Sequence, residues 1–278
     1  MRKQVCVKKK RYVRALLIVL LLFPLVDFAW GGGTEDGRVA VPILLYHRFG
    51  PVVADSMTIK TSVLASQLEY LHTHGYTVIP LRQLIASLAG KAPRLPDRSV
   101  VITADDGHES VFTDLFPLIR RYHMPITLFI YPSAISNASY ALTWSQLQEM
   151  KDSGFVDIQS HTYWHPNFKK EKKRLSAQEY ENFVHRQLFK SREVLQQKLG
   201  GTVDMLAWPF GIYDDELIND ARQAGYIVAF SMARHPVTRS DSMMALPRYL
   251  MINPVQGIVF EKLLAESSLS REKRENHP

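Results

Sequence analysis

The stretch "VITADDGHES", residues 101–110, sets two acids, Asp105 and Asp106, side by side where an apolar run stops and a glycine follows. Carboxylates this close resist joint ionisation, so each needs its own environment or a cation. Neighbouring residues at a strand end point in different directions, so one acid can bind a metal while the other stays free as a base. The run itself, "SVVITAD" (99–105), reads as a buried strand, and residues 111–122 as the helix that follows it.

The same alternation extends in both directions. "VAVPILLYH" (39–47), "YTVIP" (76–80), "PITLFIYP" (125–132), "FVDIQSH" (155–161), "DMLAWPFG" (204–211), "GYIVAFS" (225–231) and "ALPRYLM" (245–251) read as strands. Helical spacing predicts helices over 63–74, around Leu81–Leu88, and over 144–152, 176–199, 214–223 and 255–266, with Gly75, Gly154 and Gly200-Gly201 as stops. Strands alternating with helices imply a parallel sheet, and seven or eight such units imply an α/β barrel of TIM type. No internal repeat interrupts the pattern. The lysine run "KKEKKR" (169–174) is expected to be a solvated loop or helix face.

Composition narrows the class. With 278 residues and a hydrophobic share of 46%, the chain can bury a large core. Its net charge of +7 is misleading. Of the 34 Lys and Arg residues, seven (Arg2, Lys3, Lys8, Lys9, Lys10, Arg11 and Arg14) precede the first acid, and the 27 that remain match the 27 acidic residues. The body is therefore neutral, which argues against a nucleic-acid partner. The basic start runs into an apolar segment near 15–26 and small residues at Ala29-Trp30-Gly31. Residues 1–30 are expected to be an export signal or an N-terminal membrane anchor, short for a span of ~20 apolar residues. The expected location is the periplasm or cell surface, with membrane contact only through this segment if it is uncleaved. "GGGTEDG" opens a linker over 31–38, a single domain follows over 39–266, and 267–278 is expected to be a disordered tail. The only cysteine, Cys6, precedes the apolar segment, so the body forms no disulfide.

The second informative stretch is "SHTYWHP", residues 160–166. His161 and His165 are four apart, so one helical turn would bring both imidazoles to one side. They begin where "FVDIQ" ends, as the aspartates begin where "VVITA" ends. In an α/β barrel the C-terminal strand ends share the face that holds the active site. Asp106, His161 and His165 then form a two-histidine, one-carboxylate metal set. His72, His74 and His123 read as surface or cap residues.

These residues carry a family resemblance. "TADDG" (103–107) and "HTYWHP" (161–166) resemble the first two motifs of the NodB-homology polysaccharide deacetylases, carbohydrate esterase family four, which read TFDDG and H-[ST]-x-x-H-P. "AWPFG" (207–211) matches the third motif, R-x-P-[YF]-G, except at its first position. The likeness covers most of residues 40–255 and implies a distorted TIM-like (β/α)7 barrel. It implies Asp105 as catalytic base and Asp106, His161 and His165 as ligands of one divalent metal, zinc before iron, nickel or cobalt. Ala104 stands where the family has an aromatic residue. Ala207 stands where it has the arginine that orients the base, a loss that means either a weak enzyme or a particular branch. "VPILLYHRFG" followed by "GYTVIPLRQL" looks like the branch acting on poly-β-1,6-N-acetylglucosamine, in which the strand bearing the last catalytic histidine has moved to the start of the domain. Carried over, that histidine is His47, the general acid.

The implied activity is metal-dependent N-deacetylation of a β-linked N-acetylglucosamine polysaccharide of a biofilm matrix, releasing acetate. The Phe210 backbone N–H, with Pro209 and Trp164, is expected to meet the substrate or its oxyanion. Trp144, Trp208 and Tyr46 are weaker groove candidates, and His108 and then His235 are alternative acids. An aspartate neighbourhood is expected to raise the His47 pKa. The rival readings are a deacetylase of chitin oligomers or peptidoglycan, and a silent carbohydrate-binding homologue. A glycoside hydrolase fits poorly, because adjacent acids cannot flank a glycosidic bond with ~5–9 Å between them.

Overall fold

The strand segments are largely apolar because both of their faces are covered, by helices outside and by side chains packed within the curve. The computed structural model describes residues 39–275, with side chains through 266. Seven parallel strands bear this pattern: β1 (Ile43–Tyr46), β2 (Ser99–Asp106), β3 (Ile126–Ile130), β4 (Val156–Ser160), β5 (Met205–Ala207), β6 (Val228–Phe230) and β7 (Tyr249–Leu250). Their hydrogen-bonded order is β6-β5-β4-β3-β2-β1-β7. The short pair Thr77–Val78 adds to the start of β2, and Ala40–Val41 pairs antiparallel with Val237–Thr238.

Residues 243–250 close the curve. On one side the Ala229 N–H donates to Met243 O, while the Leu246 and Ser231 N–H groups donate to Ala229 O and Leu246 O. On the other side Tyr249 and Leu250 pair with Leu44 and Leu45 of β1. The result is a distorted barrel of the expected kind.

Helices wrap the outside: α1 (Thr61–Thr73), α2 (Leu81–Leu88), α3 (Phe116–Tyr122), α4 (Trp144–Asp152), α5 (Phe168–Arg174), α6 (Ala177–His185), α7 (Ser191–Leu199), α8 (Asp215–Gln223) and α9 (Ile258–Glu275). Strand residues alternate between two cores. Ile43, Val101, Phe129, Met205, Val228 and Phe230 pack together with α2 residues. Leu44, Ile102, Leu128, Ile158, Leu206 and Ala229 pack with the other helices. Local signals fix several starts: Thr143 with Gln146 and Ser176 with Glu179 form reciprocal caps on α4 and α6.

Three expectations change and one, for the lysine run, holds. The helix over 111–122 begins as a π-turn, Val111–Leu115, before α3. The helix over 176–199 is two helices joined through a second π-turn, Arg186–Lys190. The lysine run lies on α5, largely solvent-facing as expected. The last helix starts at Ile258 and continues to Glu275, through most of the stretch expected to be disordered. Leu269, Arg271, Glu272, Lys273 and Arg274 are good helix formers with no Gly or Pro among them. No helix among the described residues is long and apolar enough to cross a membrane. The expected signal or anchor (1–30) and linker (31–38) lie outside the described residues.

Candidate active site

The two adjacent acids separate as a strand end allows. Asp105 shares the inward face of β2 with Thr103, and both meet Arg248, which precedes β7. Arg248 Nη1 and Nη2 each donate to one Asp105 oxygen at 2.8 Å, and its Nε donates to Ser231 O at 3.1 Å. Arg248 is fully buried and Asp105 is 2% exposed. The guanidinium also lies 5.4 Å from the Phe129 ring centroid and 5.9 Å from that of Phe230. Burial works to raise the Asp105 pKa, but the Arg248 charge and hydrogen bonds together with the nearby His161 and His47 rings outweigh it and hold the carboxyl below its ordinary value. Asp105 is therefore ionised at neutral pH.

Asp106 leaves the strand at φ 74° and turns toward the histidines. Its Oδ1 lies 3.6 Å from His161 Nε2 and 3.7 Å from His165 Nε2. That oxygen is buried and has no hydrogen-bond partner. The three ligand atoms lie within 4.8 Å of one another. Separations of this size suit atoms that each bind one ion at ~2.0–2.2 Å. Burial raises the Asp106 pKa against the lowering effect of His47. His161 donates from Nδ1 to Ala207 O at 2.8 Å, which leaves Nε2 with a lone pair facing the carboxylate. Burial pulls the His161 pKa down to about 3 and lowers that of His165, so both rings are neutral and able to serve as ligands. An orphaned carboxylate oxygen facing two neutral imidazoles fits a divalent cation.

The histidines reach this arrangement without a helix. Residues 161–167 are irregular, and both Thr162 and His165 take φ 64°. The expected helical turn is thus replaced by a left-handed loop. Pro166 disfavours right-handed helix at His165, so the loop has a local cause.

His47 follows β1 on the same barrel face. Its Nδ1 is buried without a partner. Burial lowers its pKa and outweighs the opposing Asp105 and Asp106 charges, so the expected rise is not found in the free protein. Arg48, next in the chain, bonds Asp55 at 2.6 Å and lies 4.0 Å from Asp106. Phe210 takes φ 57°, is 56% exposed, and its ring centroid is 4.6 Å from that of His165. Pro209 is buried beneath that turn, and Trp164 is exposed beside Phe183.

Other candidates fall outside the centre. Trp208 and Tyr46 are core residues, with Trp208 Nε1 donating to Met244 O and the Tyr46 hydroxyl to Gln67. Trp144 lies on α4 under Lys198. His108 Nδ1 bonds the Ser110 hydroxyl, its ring stacks near Tyr140, and His235 faces Asp241. His123 ends α3 in a left-handed conformation, a cap as expected. Sequence reasoning missed Arg248. Its signal was a lone basic residue within the apolar run "ALPRYLM", which when buried requires a counter-charge.

Known proteins resemble this chain in sequence and in fold. Residues 92–229 match the sequence model of the polysaccharide deacetylase family. A poly-β-1,6-N-acetyl-D-glucosamine N-deacetylase of Staphylococcus epidermidis is 27% identical over 205 residues, covering 72% of this chain and 69% of that protein. The enzyme of the same name from Escherichia coli is 24% identical over 255 residues, and there the match spans only 37% of the relative. Among solved structures, the deacetylase PplD of Streptococcus pyogenes, in complex with acetate, superposes with a TM-score of 0.73 at 18% identity, over 82% of this chain and 99% of that one. IcaB of Ammonifex degensii superposes at 0.71 and 23% identity, over 82% and 97%. At these identities the superpositions speak for the fold alone, and the sequence match identifies residues 92–229 as a polysaccharide deacetylase domain, of the kind that hydrolyses carbon–nitrogen bonds other than peptide bonds.

Proposed function

We propose that this chain removes N-acetyl groups from a β-linked N-acetylglucosamine polysaccharide, poly-β-1,6-N-acetylglucosamine of a biofilm matrix. The observation that carries the chemistry is the ionised, arginine-held Asp105 beside the buried Asp106–His161–His165 set. The substrate class rests on the names of the relatives. Asp106, His161 and His165 would hold one divalent metal, zinc first, which when bound supplies Lewis-acid polarisation of the acetyl carbonyl and of water.

The chain's own groups handle the protons. Asp105 accepts a proton as water oxygen bonds to the acetyl carbon. The Phe210 N–H, at the exposed turn beside His165, is the proposed donor to the oxyanion. His47 then gives a proton to the sugar nitrogen as the C–N bond breaks, releasing acetate and a free amine. Trp164 and the Phe210 ring are exposed near the metal set and offer apolar faces to a pyranose. The basic, apolar N-terminal sequence supports export to the periplasm or cell surface.

The rival reading as a silent homologue rested on Ala207. Arg248 supplies the guanidinium that Ala207 lacks, so the geometry favours the enzyme. Acetate release from β-1,6-linked N-acetylglucosamine oligomers, with little from chitin oligomers or peptidoglycan, is the expected result. Release from chitin alone would move the substrate assignment, and release from none would favour a binding protein.

A further inference from the structure

The left-handed metal loop is held from behind by a buried chain of hydroxyls that the chemistry above does not use. Ser191 Oγ donates to Thr162 O at 3.0 Å. Since a carbonyl only accepts, the Ser191 proton is committed there. The 2.8 Å contact between Ser160 and Ser191 must then run from Ser160 to Ser191. That commits the Ser160 proton, and the Tyr226 hydroxyl, 2.8 Å from Ser160 Oγ and 3.0 Å from Leu188 O, shares its one proton between these two acceptors. Ser160 Oγ takes a second bond from the Thr162 N–H at 3.2 Å. The Ser160 and Ser191 protons thus both run toward Thr162, with Tyr226 tying the start of the series to the Leu188 carbonyl, and such series reinforce their own bonds.

Ser160, Thr162 and Ser191 are fully buried and Tyr226 is 2% exposed. Both backbone groups of Thr162 are therefore fixed by side chains from outside the loop. Thr162 is a β-branched residue at φ 64°, a conformation that persists only when its surroundings impose it. A second strap lies two residues on, where the Trp164 N–H donates to Gln187 Oε1 at 3.0 Å. Gln187 is fully buried and its Nε2 has no partner, so the contact with Trp164 is the polar one this amide keeps. Gln187 lies within the wide turn Arg186–Lys190 and Ser191 directly follows it, and π-turns recur where a helix must aim residues at a site.

We propose that Gln187, Ser191 and Tyr226 are positioning residues for the metal loop, holding Thr162 and Trp164 so that the His161 and His165 side chains keep the spacing a cation needs. This rests on the reading of Asp106, His161 and His165 as metal ligands. Lost partners behind a metal ligand weaken binding by about 10–100-fold.

The test is Co2+ binding to the full chain, read as affinity by chelator competition and as the visible absorption spectrum. The proteins are wild type, Tyr226→Phe, Ser191→Ala, Gln187→Met and, as reference, His161→Ala. Tyr226→Phe removes one oxygen and keeps the ring, and Gln187→Met cuts the second strap if either hydroxyl variant fails to fold. Affinity lower by about 10-fold or more, with an altered spectrum, is expected in the folded variants. Wild-type affinity and spectrum in them, even with a lower melting temperature, would overturn the inference and leave these residues merely structural. Failure of wild type itself to bind Co2+ would instead overturn the ligand assignment, and this inference with it.

Discussion

At the scale of single residues, Asp105 and Arg248 form a buried ion pair whose partners cannot be removed singly without cost. Asp105→Asn should retain metal, since Asp106 and the histidines are untouched, and should lose about 10²–10⁴-fold in acetate release because the amide accepts no proton. It also strands the Arg248 charge, an effect of about 3–5 kcal/mol for buried pairs, and adding Arg248→Met should restore much of that stability. Metal analysis, acetate assay and urea unfolding of the two variants check all three parts. Metal loss in Asp105→Asn with retention in Asp106→Asn would mean that the two acids have exchanged roles. His47 gives a pH prediction. A general acid works only while protonated, and burial lowers the His47 pKa from its ordinary value of about 6.5. The falling limb of kcat/KM should therefore lie below ~6.5. Arg48 adds to the lowering, so Arg48→Gln should move that limb to higher pH. His47→Ala should keep metal and lose about 10²–10⁴-fold in activity. An active His47→Ala with an unmoved limb would transfer the role to His108.

At the scale of elements, the spacing of His161 and His165 was legible but its cause was not. A four-residue separation suits a helix, yet the same Nε2 atoms meet Asp106 through a left-handed loop. Spacing reports which residues are available, whereas loop conformation depends also on Gln187, Ser191 and Tyr226, distant in sequence. The two π-turns were hidden for the same reason, because one extra residue barely disturbs apolar periodicity. His161→Ala or His165→Ala should lower metal content and acetate release together while the circular dichroism spectrum stays that of wild type. Each loss should exceed the ~100-fold bound for an outer partner. Gly107 ends β2 at φ 80°, and a Cβ there would meet Ile130 Cγ2 at 3.0 Å and Ile135 Cδ1 at 3.1 Å. Gly107→Ala should destabilise by more than ~1 kcal/mol and weaken metal binding through Asp106, as denaturation and chelator competition would report.

At the scale of the molecule, the strand–helix alternation made the barrel legible, because the buried parallel strands are mostly short apolar runs set apart by helix-periodic segments. The closure was not legible. Residues 243–250 touch β6 at one end and β1 at the other, and no pattern within "ALPRYLM" marks a segment shared between two neighbours. That segment brings Arg248 to Asp105, 143 residues away along the chain. Its position makes the last strand decisive. A chain cut short before residue 248 would keep Asp106, His161 and His165 yet lose both the strand that closes the seam beside β1 and the guanidinium that balances Asp105. Left as a lone buried anion, Asp105 would favour taking up a proton, so such a truncation should silence it while sparing every residue of the neighbouring set.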